Sequence, residues 1–86
     1  MNLSLKEINV AQDFADKLAS EISATLGVAV LSEMYSMYDD RRGIYLKVYD
    51  NRGRLYQKYA SGIHTNLNDI INSLRMQGTR ILSECR

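Results

Sequence analysis

The sequence predicts a single α+β domain in the order helix, three-stranded antiparallel sheet, helix (αβββα), with both helices on one face of the sheet. Three observations predict it. Apolar residues recur at three- and four-residue steps near both ends of the chain. Between them, from Val28 to about residue 60, the period falls to two. Two polar clusters ending in glycine, residues 39–43 and 50–53, divide that middle stretch into three strands.

The first helix is expected over about residues 4–26. Ser4-Leu5-Lys6-Glu7 is a capping box, in which the serine hydroxyl accepts from the Glu7 amide and the glutamate reaches back. Leu3 and Ile8 stand at the two positions of a hydrophobic staple. Asn9, with Gln12 three residues on, offers a second start. Ala11, Phe14, Ala15, Leu18, Ile22 and Leu26 form the apolar stripe, and Gly27 suits a left-handed end.

The first strand is expected over about 28–38. Val30, Met34 and Tyr38 share one face with Ser32 and Ser36, and Leu31, Glu33, Tyr35 and Met37 share the other. The second strand, about 44–50, alternates Ile44, Leu46 and Val48 with Tyr45, Lys47 and Tyr49. The third covers about 54–60. Its register depends on the loop. An even-length loop puts Leu55, Gln57 and Tyr59 with Ile44, Leu46 and Val48, and sends Tyr56 and Lys58 to the tyrosine side. A three-residue loop with a glycine bulge reverses that and sets Leu55 among the tyrosines. The even loop separates the two chemistries and is the expectation adopted.

The last helix is expected over about 62–84, capped by Ser61 or Thr65. Its stripe is Ile63, Leu67, Ile70, Ile71, Leu74, Ile81, Leu82 and Cys85. Gly78 falls on that stripe, where it either permits a close contact or breaks the helix. Two amphipathic helices need one apolar sheet face, and the alternation supplies one.

Composition sets further bounds. With 86 residues the chain makes one domain, 1–86, with a thin core. At 45% hydrophobic and 24% charged, without proline, it is neither disordered nor a linker. Its single cysteine, Cys85, excludes an internal disulfide framework and a multi-cysteine metal site. No apolar run approaches the ~20 residues of a membrane span. The first ten residues carry charge where a signal peptide keeps its apolar stretch, so a cytoplasmic protein with no membrane partner is expected.

No catalytic set emerges. His64 is the only histidine, and no serine or cysteine is spaced locally to complete a nucleophilic group. Asp39-Asp40 is followed at once by Arg41-Arg42, as in a solvated turn. Gly43 and Gly53 sit in hairpin turns, not in a phosphate loop. The expectation is a non-enzyme without cofactor or metal.

One feature stands out. Residues 1–40 carry net charge −5 and residues 41–58 carry +5, so a near-neutral total conceals a dipolar molecule. The positive segment holds Tyr45, Lys47, Tyr49, Arg52, Arg54, Tyr56 and Lys58, and Glu33, Tyr35 and Met37 extend it onto the first strand. Tyrosine and lysine are also ordinary on the wet face of a sheet. Yet tyrosine and arginine dominate binding energy at protein interfaces. The expected partner-binding set is Tyr35, Tyr45, Lys47, Tyr49, Arg52, Arg54, Tyr56 and Lys58, docking on another protein with an acidic surface. Small motif-free domains of this kind are common among phage and mobile-element proteins that inhibit or redirect a host protein, and that attribution rests on size alone. Two other expectations use the same residues: nucleic-acid binding through the basic hairpin, and a homodimer pairing the −5 and +5 segments. The element order is also that of double-stranded RNA-binding domains. The lysine-rich run that such domains carry at the last helix is missing from residues 61–69, so the resemblance stops at element order.

Overall fold

The structure, a computed structural model, describes residues 3–38, 41–59 and 62–85, with the side chains of Met37 and Tyr38 left aside. Its elements are α1 (Leu5–Leu26), β1 (Val30–Tyr38), β2 (Arg41–Tyr49), β3 (Leu55–Tyr59) and α2 (Leu67–Glu84). The strands form one antiparallel sheet in the order β1-β2-β3, and both helices pack on one of its faces. The predicted fold is the observed one.

α1 begins as its sequence dictates. Ser4 Oγ accepts from the Glu7 amide, and Glu7 Oε1 accepts from the Ser4 amide, each at 3.1 Å. Leu3 is buried beneath this turn and Ile8 packs at the margin of the core. Gly27, at φ 73°, closes the helix in the left-handed region, its amide donating to the Ser23 carbonyl. Ala11, Ala15, Ala19 and Ile22 form the buried line of α1. Three alanines one turn apart let the helix lie close to its neighbours.

Two boundaries differ from expectation. Arg41, Arg42 and Gly43 belong to β2 rather than to a turn, because they pair with Tyr38, Ser36 and Tyr35. The remainder of the expected turn, Asp39 and Asp40, lies outside the described residues. α2 starts at Leu67, not near residue 62. Asn66 caps it, with Oδ1 accepting from the Asp69 amide at 3.0 Å and Nδ2 donating to Asp69 Oδ2 at 2.8 Å. Thr65 does not cap because the chain is still extended at His64, whose amide and carbonyl pair with Arg42; Ser61 lies outside the described residues.

Gly78 does not break α2. A methyl group built there would meet Leu18 and Ile22 of α1 at 3.4–3.5 Å, so the glycine marks the close approach of the two helices. Ile70, Leu74 and Ile81 of α2 are buried against Ile44, Leu46, Val48 and Tyr59 of the sheet.

A side chain completes the sheet. β3 reaches only as far as Leu46 on β2, and the chain rejoins β2 at Arg42. Between these points no described strand residue pairs with the Leu46 amide or the Ile44 carbonyl. Gln77 of α2 supplies both partners: Oε1 accepts from Leu46 N at 2.8 Å and Nε2 donates to Ile44 O at 2.9 Å. The buried amide thus stands in for a peptide group of the missing rung.

Candidate functional site

The hairpin between β2 and β3 decides which residues face away from the helices. Asp50 N donates to Arg54 O and Gly53 N donates to Asp50 O, with Gly53 at φ 78°. This is the three-residue loop with a glycine bulge, not the even loop. Leu55 therefore lies across from Tyr49. A second irregularity follows. Gln57 pairs with Val48, so Tyr56 is an extra residue with no partner of its own on β2. This bulge restores the parity that the odd loop removed: Lys58 lies opposite Lys47, and Tyr59 lies opposite Leu46 in the core.

The even-loop expectation thus holds for Gln57, Lys58 and Tyr59 and fails for Leu55 and Tyr56. Leu55 joins the tyrosine side. Tyr56 lines an open cavity of about 370 Å³ at the end of the helical layer, with Val28, Val48, Glu84 and Cys85.

The face opposite the helices carries Leu31, Glu33 and Tyr35 from β1, Tyr45, Lys47 and Tyr49 from β2, and Leu55 and Lys58 from β3. Leu31 and Leu55 are about half exposed, at 52% and 47%. The other groups of this face are tied together. Lys47 Nζ lies 2.7 Å from Glu33 Oε2. Lys58 Nζ lies 5.6 Å above the Tyr45 ring and Lys47 Nζ lies 6.0 Å from the Tyr49 ring. The Tyr35 and Tyr45 rings meet at 5.2 Å, tilted by 54°.

Gly43 makes room for Tyr35. A Cβ there would lie 2.8 Å from the tyrosine ring and 2.9 Å from the Gly62 carbonyl oxygen, so no larger residue fits without displacing one of them.

Charge follows the same contacts. The hydrogen bond from Lys47, and then one from Tyr45, hold the Glu33 carboxyl below its usual value. The hydrogen bond to Glu33 pushes Lys47 up. Desolvation first, and then the bond to Glu33, push the Tyr45 hydroxyl up. The positive charge of Lys47 is therefore largely answered within the face.

The remaining predicted residues sit apart. Arg52 and Arg54 are exposed at the hairpin tip, where Asp50 Oδ1 accepts from both of their amides at 2.9 Å and fixes the turn. The structure brings Tyr35, Tyr45, Lys47, Tyr49 and Lys58 into one patch, sets the two arginines at its end, and turns Tyr56 around the edge. Glu33 and Leu55 complete the patch. No local signal in the sequence announced the Tyr56 bulge.

Among the described residues, no group of three or more histidine, cysteine or acidic side chains is placed to hold a metal ion, and no helix is long and apolar enough to cross a membrane. Compared with known proteins, the chain matches no family model and significantly resembles no curated protein and no solved structure.

Proposed function

We propose that this chain is a small, non-catalytic protein-binding module that acts as an inhibitor or regulator of the protein it binds, docking through the sheet face opposite the helices. The observation that supports it is the patch itself: Tyr35, Tyr45 and Tyr49 on one open face, with the exposed Leu31 and Leu55 at its hairpin end. Rings held by neighbouring rings and ammonium groups lose little conformational freedom on binding, which favours affinity. The arginines at the tip would steer approach to an acidic partner surface. A host-directed phage or mobile-element role fits the chain's size and nothing else in it.

Protein docking is favoured over nucleic acid because Glu33 answers Lys47 inside the face. Phosphate binding needs lysines and arginines free to release counterions, and its affinity falls steeply with salt. The experiment is capture from lysate across a salt series, with the wild type and with Tyr45→Ser/Tyr49→Ser. The reading expects a protein retained well above physiological salt by the wild type and lost by the variant, with the variant still folded. Retention of nucleic acid alone, vanishing as salt rises, would overturn it in favour of the nucleic-acid reading.

A further inference from the structure

The two edges of the sheet are built differently. β3 is five residues long, carries Lys58, and is interrupted by the Tyr56 bulge. Each of these features discourages another strand from adding to that edge. β1 has none of them through residues 30–36: Val-Leu-Ser-Glu-Met-Tyr-Ser holds one charge, no lysine, no proline and no glycine.

The pairing shows which backbone groups β1 leaves open. On β2, Arg42, Ile44 and Leu46 direct their amides or carbonyls toward the β3 side, to His64 and Gln77, while Tyr49 donates to Ala29 on the β1 side. Tyr45 and Lys47 therefore bond to β1, through Glu33 and Leu31. By alternation the amides and carbonyls of Val30, Ser32, Met34 and Ser36 point away from β2, along the free edge, where no described residue is hydrogen-bonded to them. The β1 irregularity between Ser36 and Tyr38 ends this open run.

We infer that the β1 edge is a self-association surface, on which β1 of a second copy adds antiparallel about a twofold axis to make a continuous six-stranded sheet. The strand is complementary to itself. Centred on Met34, the pairing sets Met34 against its own copy and Ser32 against Ser36, so that three open residues of each chain exchange backbone bonds. On the outer face the same register sets Glu33 opposite Tyr35, an acceptor against a donor, twice by symmetry. Centred one residue earlier, it would set Glu33 directly against Glu33, which like charge opposes.

Asp16 of the acidic helix adds little repulsion. Asp16 of α1 accepts from Ser32 Oγ at 2.7 Å and from Gln12 Nε2 at 2.9 Å beside this edge. In the Met34-centred register the two copies of Ser32, and so of Asp16, stand about 14 Å apart along the strands, beyond the ~8 Å screening length. Association would also extend the tyrosine patch across the twofold axis, giving a docking face of two equal halves.

The test is sedimentation of the full chain from micromolar to sub-millimolar concentration, with amide hydrogen exchange at the same concentrations. A dimer is expected, with the Ser32, Met34 and Ser36 amides gaining protection as it forms. Ser36→Pro removes one edge donor per chain without touching a bond to β2, and is expected to weaken association about tenfold. A monomer at every concentration would overturn the inference. So would a dimer whose edge amides exchange as fast as those of the monomer, a readout that stands even if the proline variant fails to fold.

Discussion

Replacing Gln77 by leucine tests how the sheet is completed. Leucine keeps nearly the same volume and stays apolar, so it removes the amide without opening a large cavity. It leaves the Leu46 amide and the Ile44 carbonyl without partners, in a region where both residues are almost wholly buried. An orphaned buried polar group costs about 1–3 kcal/mol, so the pair costs about 2–6 kcal/mol. A domain of 86 residues has about 4–13 kcal/mol of stability in total. At a urea slope of about 1–2 kcal/mol per molar, a loss near 4 kcal/mol lowers the unfolding midpoint by about 2–4 M. Urea titration followed by circular dichroism measures this. The Leu46 amide should also lose its exchange protection. A leucine variant within about 0.5 kcal/mol of the wild type would mean that these groups find other partners at no cost and that Gln77 does not complete the sheet.

The other predictions concern single contacts. Gly78→Ala is expected to stabilise the domain by about 0.5–1 kcal/mol, since the new methyl just fits against Leu18 and Ile22 and glycine is a poor helix former; a lower thermal midpoint would contradict it. Gly43→Ala is expected to cost about 1–3 kcal/mol and to shift the Tyr35 resonances, because its Cβ would overlap the ring and the Gly62 carbonyl. Glu33 has a folded-state value below 4.5, so its contribution is complete above about pH 4.5 and is lost as the pH falls through the lower folded value. Glu33→Gln should therefore flatten the acid limb of the stability curve. Tyr59 donates to Glu84 Oε2 at 3.0 Å and lies 3.4 Å from Cys85 Sγ, and burial first, then these contacts, hold its hydroxyl well above 10. Its contribution is present below pH 10 and fades as the pH rises beyond it. Tyr59→Phe should flatten the alkaline limb and cost about 1 kcal/mol at neutral pH.

The parts of the fold legible in the sequence are those governed by local rules. The Ser4–Glu7 capping box, the Gly27 terminus and the alternation of Ile44, Leu46 and Val48 each depend on neighbours within a few residues, and each appears as read. The parts that escaped depend on partners far along the chain. Gln77 looks like a polar interruption of the α2 stripe until a gap in β2, more than thirty residues away, gives its amide something to bind. The α2 start at Leu67 is likewise set by the bridge from His64 to Arg42 rather than by the capping strength of Thr65. The hairpin combines both situations. Asp50-Asn51-Arg52-Gly53 carries the residues for a three-residue loop, and the competing wish to keep Leu55 away from the tyrosines argued against it. The Tyr56 bulge resolves the conflict by changing parity after the loop, so Lys58 and Tyr59 return to the faces that their chemistry requires.

The claim that the sheet face opposite the helices is the docking site is tested most directly by placing a photo-crosslinking residue at position 45 on that face, and separately at position 79 on the exposed side of α2, then irradiating each in lysate. A covalent adduct with another protein is expected from position 45 and none from position 79. An adduct from position 79 alone would put the partner on the helical layer and contradict it.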